Sequence, residues 1–193
     1  MQTHVVLVDA SDAPIGTLEK QRAHLEGRLH RAVSVLVFNP RGEALLQRRA
    51  AGKYHSGGQW TNACCSHPLP DEPPADAARR RLREEMGIDA AVEPAFRFTY
   101  RAEVGPGLVE HEYDHVFATR WEGTPAPDPD EADAWRWVTP ADLAAEVAAD
   151  PERFTPWFRM ILSRPEWAEL AARYAACGSR EPRSGDPSSL PDP

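Results

Sequence analysis

The chain has 193 residues, of which 41% are hydrophobic and 27% charged, a composition that excludes wholesale disorder and lets one domain bury a sizeable core. Lys and Arg number 22 against 30 Asp and Glu, so the formal net charge is −8, which excludes a general nucleic-acid binder but not a small basic pocket for one phosphorylated metabolite. The longest apolar run, Val35–Phe38, is far too short for a membrane span, and the N-terminus lacks the basic region of a signal peptide. Cys64, Cys65 and Cys177 are an odd set with two neighbours, which makes no disulfide framework; a cytoplasmic location with reduced thiols is expected.

In chain order, Val5–Asp9 predicts a short strand and Ser11–Gly16 a turn. Thr17–Leu25 predicts a helix with Thr17 as N-cap. Ala32–Phe38, the turn Asn39–Gly42 and Glu43–Arg49 predict a hairpin, followed by a glycine-containing loop over Gly52–Gly58. Trp60–His67 is strand-like, and the proline-rich Pro68–Pro74 is an irregular loop. Asp76–Met86 is the clearest helix, closed by Gly87. Phe96–Val104 and Leu108–Trp121 predict strands joined at Gly105–Gly107. A Pro/Asp loop over Pro125–Asp133 leads to a short strand, Trp135–Val138. Pro140–Ala149 is a helix, and Trp157–Cys177 is one or two more, broken near Pro165. Residues 1–177 form one domain in this reading, and Gly178–Pro193 is a disordered tail. Strands come early and helices late, so the class is α+β with a mixed sheet.

Three features could carry chemistry. In a strand, Cys65 and His67 share a face while Cys64 points away, so Cys65 and His67 can line a cavity; equally, all three could be core residues. On the strand after Gly107, Glu110, Glu112 and Asp114 share one face, and His111, Tyr113 and His115 the other. A solvated face would explain the acid row, but three acids in register repel, and a bound cation would remove that penalty. His24 and His30 lie six apart near the start of the predicted hairpin, and imidazoles with carboxylates suit Zn, Mn, Fe or Co better than Mg alone. The helix Arg79–Ile88 puts four arginines before two glutamates. It is either a charged surface helix with pairs such as Arg80–Glu84 and Arg81–Glu85, or a helix that offers carboxylates to a metal and arginines to a diphosphate.

The run Arg80-(x)₃-Glu84-Glu85-x-Gly87-Ile88 resembles the second half of the Nudix box, whose frame falls on Ser66, Glu72, Arg80, Arg81, Glu84, Glu85 and Gly87. Ser66 stands where the box has Gly, and Arg81 where it has Glu. The second change argues against ordinary diphosphate hydrolysis. Both departures are shared with the type I isopentenyl-diphosphate isomerases. Further segments resemble that family: Gly16–Lys20, His24 with Arg28–Ala32, Leu36–Asn39, Gln47–Ala50, Trp60–Asn62, Cys64–Pro68, Glu110–Glu112 and Phe154–Trp157.

The resemblance implies a Nudix-like mixed sheet flanked by helices with a helical C-terminal part. The reaction it implies interconverts isopentenyl and dimethylallyl diphosphate by protonation and deprotonation through a tertiary carbocation. Cys65 and Glu112 match the family's catalytic pair, Tyr100 the tyrosine that assists the glutamate, and Trp157 the ring that faces the cation. His24, His30, His67, Glu110 and Glu112 match the ligands of one divalent metal, Zn²⁺, Mn²⁺ or Mg²⁺. Glu85 matches a ligand of a second, Mg²⁺, on the diphosphate. Lys20, Arg49, Lys53 and Arg81 match the diphosphate-binding positions. His55 is read as a loop residue, and His111, Asp114 and His115 as solvent-facing or structural. The partners implied are a prenyl diphosphate, no nucleic acid and no membrane, with a monomer expected and a dimer as the alternative. A Nudix-type diphosphate hydrolase is the competing activity, and a binding module that has lost catalysis is the non-enzymatic one.

Overall fold

A computed structural model describes residues 4–178, the last two as helix backbone only, so the tail and the Cys177 side chain lie outside the described residues. Strand β1 (His4–Val8) pairs antiparallel with β2 (Pro14–Glu19). Here the structure corrects the sequence reading. Thr17 is in β2, opposite Val6, and the helix begins only at α1 (Lys20–Glu26). Glu19, not Thr17, is its cap, accepting from the backbone N–H groups of Gln21 and Arg22 at 3.0 and 2.8 Å.

Strand β3 (His30–Phe38) is the hub of a nine-stranded sheet. It meets β1 at one end and turns into the antiparallel β4 (Ala44–Arg49) at the other. The Asn39–Gly42 turn is held by the Asn39 side chain, which accepts from the N–H groups of Arg41 and Glu43. The predicted single strand over Trp60–His67 is two. β5 (Trp60–Asn62) pairs with β4, whereas β6 (Cys64–Ser66) crosses to β3. Asn62 stitches the crossing, donating through Nδ2 to the carbonyls of Val35 and Cys64.

Helix α2 (Pro74–Met86) starts on proline and stops at Gly87, whose φ of 68° is the left-handed cap the sequence anticipates. A long antiparallel pair follows, β7 (Glu93–Gly105) and β8 (Leu108–Arg120), and β8 lies parallel to β3 over nine registered pairs. Strand β9 (Ala132–Val138) starts inside the predicted loop and pairs with β4. Helices α3 (Pro140–Ala149), α4 (Pro156–Leu162) and α5 (Pro165–Gly178) close the chain, with the break at Pro165.

Alternation along β3 sorts side chains into two cores. Val33, Val35 and Val37 face α2, against Ala77, Ala78, Leu82 and Met86. Leu36 and Phe38 face α3, α4 and α5 through Leu143, Trp157, Phe158, Ile161 and Trp167. Ser34 and His30 fall on this second face. No helix among the described residues is long and apolar enough to cross a membrane.

Candidate active site

The face of β6, β3 and β8 that lies under α4 carries the polar groups. Register does the assembly: β3 sets Ser34 opposite Cys65 of β6, and His30 opposite Glu112 of β8. Strand β7 sets Tyr100 opposite Glu112. Helix α1 contributes His24, and the four-residue spacing puts Lys20 on the same side.

His24, His30, His67 and Glu112 are buried, and one potential ligand atom from each lies within 4.8 Å of the others. His24 Nε2 is 3.3 Å from His30 Nε2. Glu112 Oε1 is 3.3 Å from His30 Nε2 and 2.9 Å from His67 Nε2. His30 Nδ1 donates to the Arg28 carbonyl at 2.8 Å, which leaves its Nε2 with the lone pair in the neutral ring. That lone pair faces both a carboxylate oxygen and a second imidazole. Electron pairs converging in a dry place need a cation between them, so the donor set fits a divalent metal. Burial keeps the His24 and His67 rings neutral: it lowers the pKa of His24 to about 2, helped by His67, and that of His67 to about 4 against the pull of Glu112. The second nitrogen of His24, Nδ1, meets the Tyr54 hydroxyl at 2.6 Å, an outer contact that orients the ring.

Glu110 stands one step outside this cluster. Its carboxyl lies 3.0 Å from the Tyr100 hydroxyl, which is also 2.6 Å from Glu112 Oε2. The hydroxyl has one hydrogen and gives it to the nearer carboxylate. Burial and then the charge of Glu112 raise the Glu110 pKa. Burial works against ionised Glu112 too, but the His30 and His67 imidazoles at its Oε1 hold its carboxyl well below the usual range.

Cys64 packs in the core against α2, while Cys65 turns to the opposite face, as alternation requires. Burial, then Asp114 and Glu112, push the Cys65 thiol well above its ordinary pKa, so it carries its proton at neutral pH. Trp157 is buried, with the Arg49 guanidinium 5.2 Å from its ring centroid. Trp157 Nε1 and Arg49 Nε, both buried donors, have no hydrogen-bond partner among the described residues.

Of the other cations, half-buried Lys20 sits 5.5 Å from the Tyr54 ring, its pKa lowered by burial. Lys53 pairs with Glu131. Arg81 binds Glu84, Glu85 and Glu131 at 2.7, 2.9 and 3.1 Å. Glu85 is buried, accepts from Gln47 Nε2 at 3.1 Å, and belongs to this second cluster rather than to the histidines.

These geometries sit in a recognisable frame. Residues 28–158 match the NUDIX domain family. The isopentenyl-diphosphate Delta-isomerase 2 of Aromatoleum aromaticum is 52% identical over 164 residues, 85% of this chain and 87% of its own. The isopentenyl-diphosphate Delta-isomerase of Burkholderia multivorans is 49% identical over 164 residues, 85% of this chain and 93% of its own. The chain belongs to the isopentenyl-diphosphate Delta-isomerase family. Its fold is that of Nudix proteins: the crystal structure of the Nudix hydrolase RenU from M. smegmatis aligns with a TM-score of 0.53 at 19% identity, covering 89% of this chain and 94% of that one.

In this isomerase-family chain, Lys20 and His24 precede the matched Nudix span, so α1 adds part of the site from outside it. Three further residues were missed or misjudged from sequence. His55 belongs to the loop but is buried, its Nε2 3.5 Å from Glu110 Oε1 and its ring edge-on to Trp157. Asp114 does not face solvent. It is fully buried and accepts from Ser34 Oγ at 2.8 Å, with burial and then the charge of Glu112 raising its pKa to about 8. Glu131 lies in the Pro/Asp loop and ties Lys53 to Arg81. His111 and His115 are structural, contacting the Gly27 carbonyl at 3.1 Å and Asp12 at 2.9 Å.

Proposed function

We infer that the chain interconverts isopentenyl diphosphate and dimethylallyl diphosphate, with Cys65 and Glu112 as its proton-moving pair. The observation that carries this is a partly buried thiol and a buried carboxylate on one sheet face, the thiol packed against the cluster that holds the Trp157 ring. The reaction adds one proton to the terminal alkene carbon and removes one from the carbon two away, so no net proton is consumed. An unactivated alkene is a very weak base, and its protonation needs a positioned acid where water is excluded. The Cys65 thiol, which can give a proton, and the Glu112 carboxylate, hydrogen-bonded by Tyr100, which can take one, come from different strands. Trp157 offers a π-face to the tertiary cation without a nucleophile that would trap it.

His24, His30, His67 and Glu112, with Glu110 as fifth ligand, would hold a divalent metal, Zn²⁺, Mn²⁺ or Mg²⁺, and Glu85 a Mg²⁺ ion. When bound, these ions supply positive charge beside Glu112 and the diphosphate. Lys20, Arg49, Lys53 and Arg81 bind the diphosphate, and the free donor Arg49 Nε supports that reading. On α2, Arg81 replaces a box carboxylate and pairs with Glu85, which weighs against the hydrolase alternative.

The test is incubation with isopentenyl diphosphate and divalent metal in D₂O, followed by NMR. Dimethylallyl diphosphate with deuterium in the new methyl group is the expected result. Release of phosphate or diphosphate without isomer would overturn it in favour of hydrolysis.

A further inference from the structure

Cys65 does not stand alone on its face. Its register partner on β3 is Ser34, fully buried, with Oγ 3.2 Å from Cys65 Sγ and 2.8 Å from Asp114 Oδ2. A serine hydroxyl has one hydrogen and accepting lone pairs, so it gives to one neighbour and receives from the other. The three side chains therefore form one continuous chain with one direction at a time, either from Cys65 through Ser34 to Asp114 or the reverse. Either direction fixes the sulfur at one end.

Asp114 is an odd tenant of this place. It is 0% exposed, and its Oδ1 has no hydrogen-bond partner among the described residues. Its one side-chain hydrogen bond is the contact with Ser34. A leucine would fill the same place without an orphaned oxygen, so packing does not account for the carboxyl. What the carboxyl does achieve is to engage Ser34, and through it the thiol.

We propose that Ser34 and Asp114 are positioning residues that hold the Cys65 thiol in a single orientation through this hydrogen-bonded chain. The proposal rests on the reading of Cys65 as a proton-moving group. Neither residue needs to touch substrate. Loss of the chain frees the sulfur to sample other rotamers, which lowers the fraction of bound substrate poised to react. Substrate binding itself, through the distant cations, is untouched.

The experiment measures kcat, KM and melting temperature on the metal-loaded full chain for Ser34→Ala, Asp114→Leu, Asp114→Asn and the Ser34→Ala/Asp114→Leu double variant. Ser34→Ala and Asp114→Leu each lower kcat about three- to tenfold, the range of one neutral hydrogen bond, with KM for isopentenyl diphosphate unchanged. Asp114→Asn keeps most of the rate, because an amide can either accept from or donate to Ser34 and so continues the chain. The double variant falls no further than the worse single one, since the chain acts as a unit. Asp114→Leu melts no lower than the parent while losing rate, a combination that a structural role cannot produce. If Asp114→Leu fails to fold, Ser34→Ala with its unchanged KM decides alone.

Cys65→Ala is assayed beside them. Turnover at the parent rate in Cys65→Ala would overturn the reading of Cys65 itself. An inactive Cys65→Ala with parent kcat in Ser34→Ala and Asp114→Leu would overturn the positioning chain alone. Rates that fall only in step with melting temperature would also overturn it.

Discussion

Tyr100 and Glu112 are register partners on β7 and β8, and the phenol hydroxyl lies 2.6 Å from Glu112 Oε2. The contact is fully buried and joins a donor to an ionised acceptor, the stronger class of hydrogen bond, worth about 1.5–3 kcal/mol. Tyr100→Phe keeps the ring in the core and removes only the hydroxyl. Its kcat is expected to fall about 10- to 100-fold with KM for isopentenyl diphosphate little changed, measured by initial rates. An unchanged kcat would separate the phenol from the chemistry.

The two adjacent cysteines should respond in opposite ways. Cys65→Ala and Glu112→Gln each lower turnover by about 10²- to 10⁴-fold, the usual span for a lost acid or base. Cys64→Ala keeps most of the turnover and instead loses about 1 kcal/mol of stability, because its sulfur packs on α2. NMR of the product pool and thermal melts read the two effects separately.

Metal removal should show in stability as well as in rate. The four ligand atoms come from α1, β3, β8 and the residue just past β6, so an ion there ties these elements together. At a thousandfold excess of metal over Kd the tie is worth about 4 kcal/mol. Chelator-treated protein is expected to melt lower and to recover when Zn²⁺ or Mn²⁺ is returned. His67→Ala should melt near the chelated form and respond weakly to added metal.

Acid sensitivity has an identified source outside the site. Arg80 donates to both oxygens of Glu72 at 2.7 and 2.8 Å, and the Leu69 N–H adds a third bond at 2.7 Å. Arg80 first, then the Leu69 amide against the opposing effect of burial, hold the Glu72 pKa below its ordinary 4.5. The stabilisation is thus complete above pH 4.5 and is lost as pH falls through the lower folded value. Because the pair is partly exposed, Glu72→Gln should cost only about 1 kcal/mol at neutral pH. Denaturant melts should show that gap closing as pH drops below the folded pKa; a gap constant with pH would discard the ionic explanation.

Gly87 is held by both its backbone and its surroundings. Its φ is 68°, and an added Cβ would come 2.8 Å from the Ala126 carbonyl oxygen. Gly87→Ala should therefore destabilise by more than about 1 kcal/mol, seen as a lower melting temperature.

Features with local causes were legible in the sequence. The α2 stop at Gly87, the Asn39–Gly42 turn and the opposed faces of Cys64 and Cys65 follow from backbone preference and strand alternation alone. Elements with distant causes were not. Thr17–Glu19 has nothing local to mark it as a strand; it becomes one because β1 offers an edge. Trp60–His67 divides because its two halves pair with different strands. For Asp114, alternation named the face correctly, but depth depends on what covers that face. The α4 and α5 side chains in the core on that face are more than forty residues further along the chain. Lys53–Glu131 and Arg81–Glu131 likewise span long loops that no periodicity reports.

Strand β3 divides its residues by parity, and that has a practical consequence for altering the protein. Val33, Val35 and Val37 belong to the α2 core, while His30 and Ser34 belong to the chemistry. Libraries confined to the odd positions should yield variants graded by heat tolerance at nearly constant rate. Libraries at Ser34 should yield variants graded by rate, whereas Leu36 and Phe38 on the same face answer to the other core. Inserting or deleting one residue between His30 and Ser34 would exchange the two sets at a stroke, so length variation should be accepted in the loops around this strand but not within it.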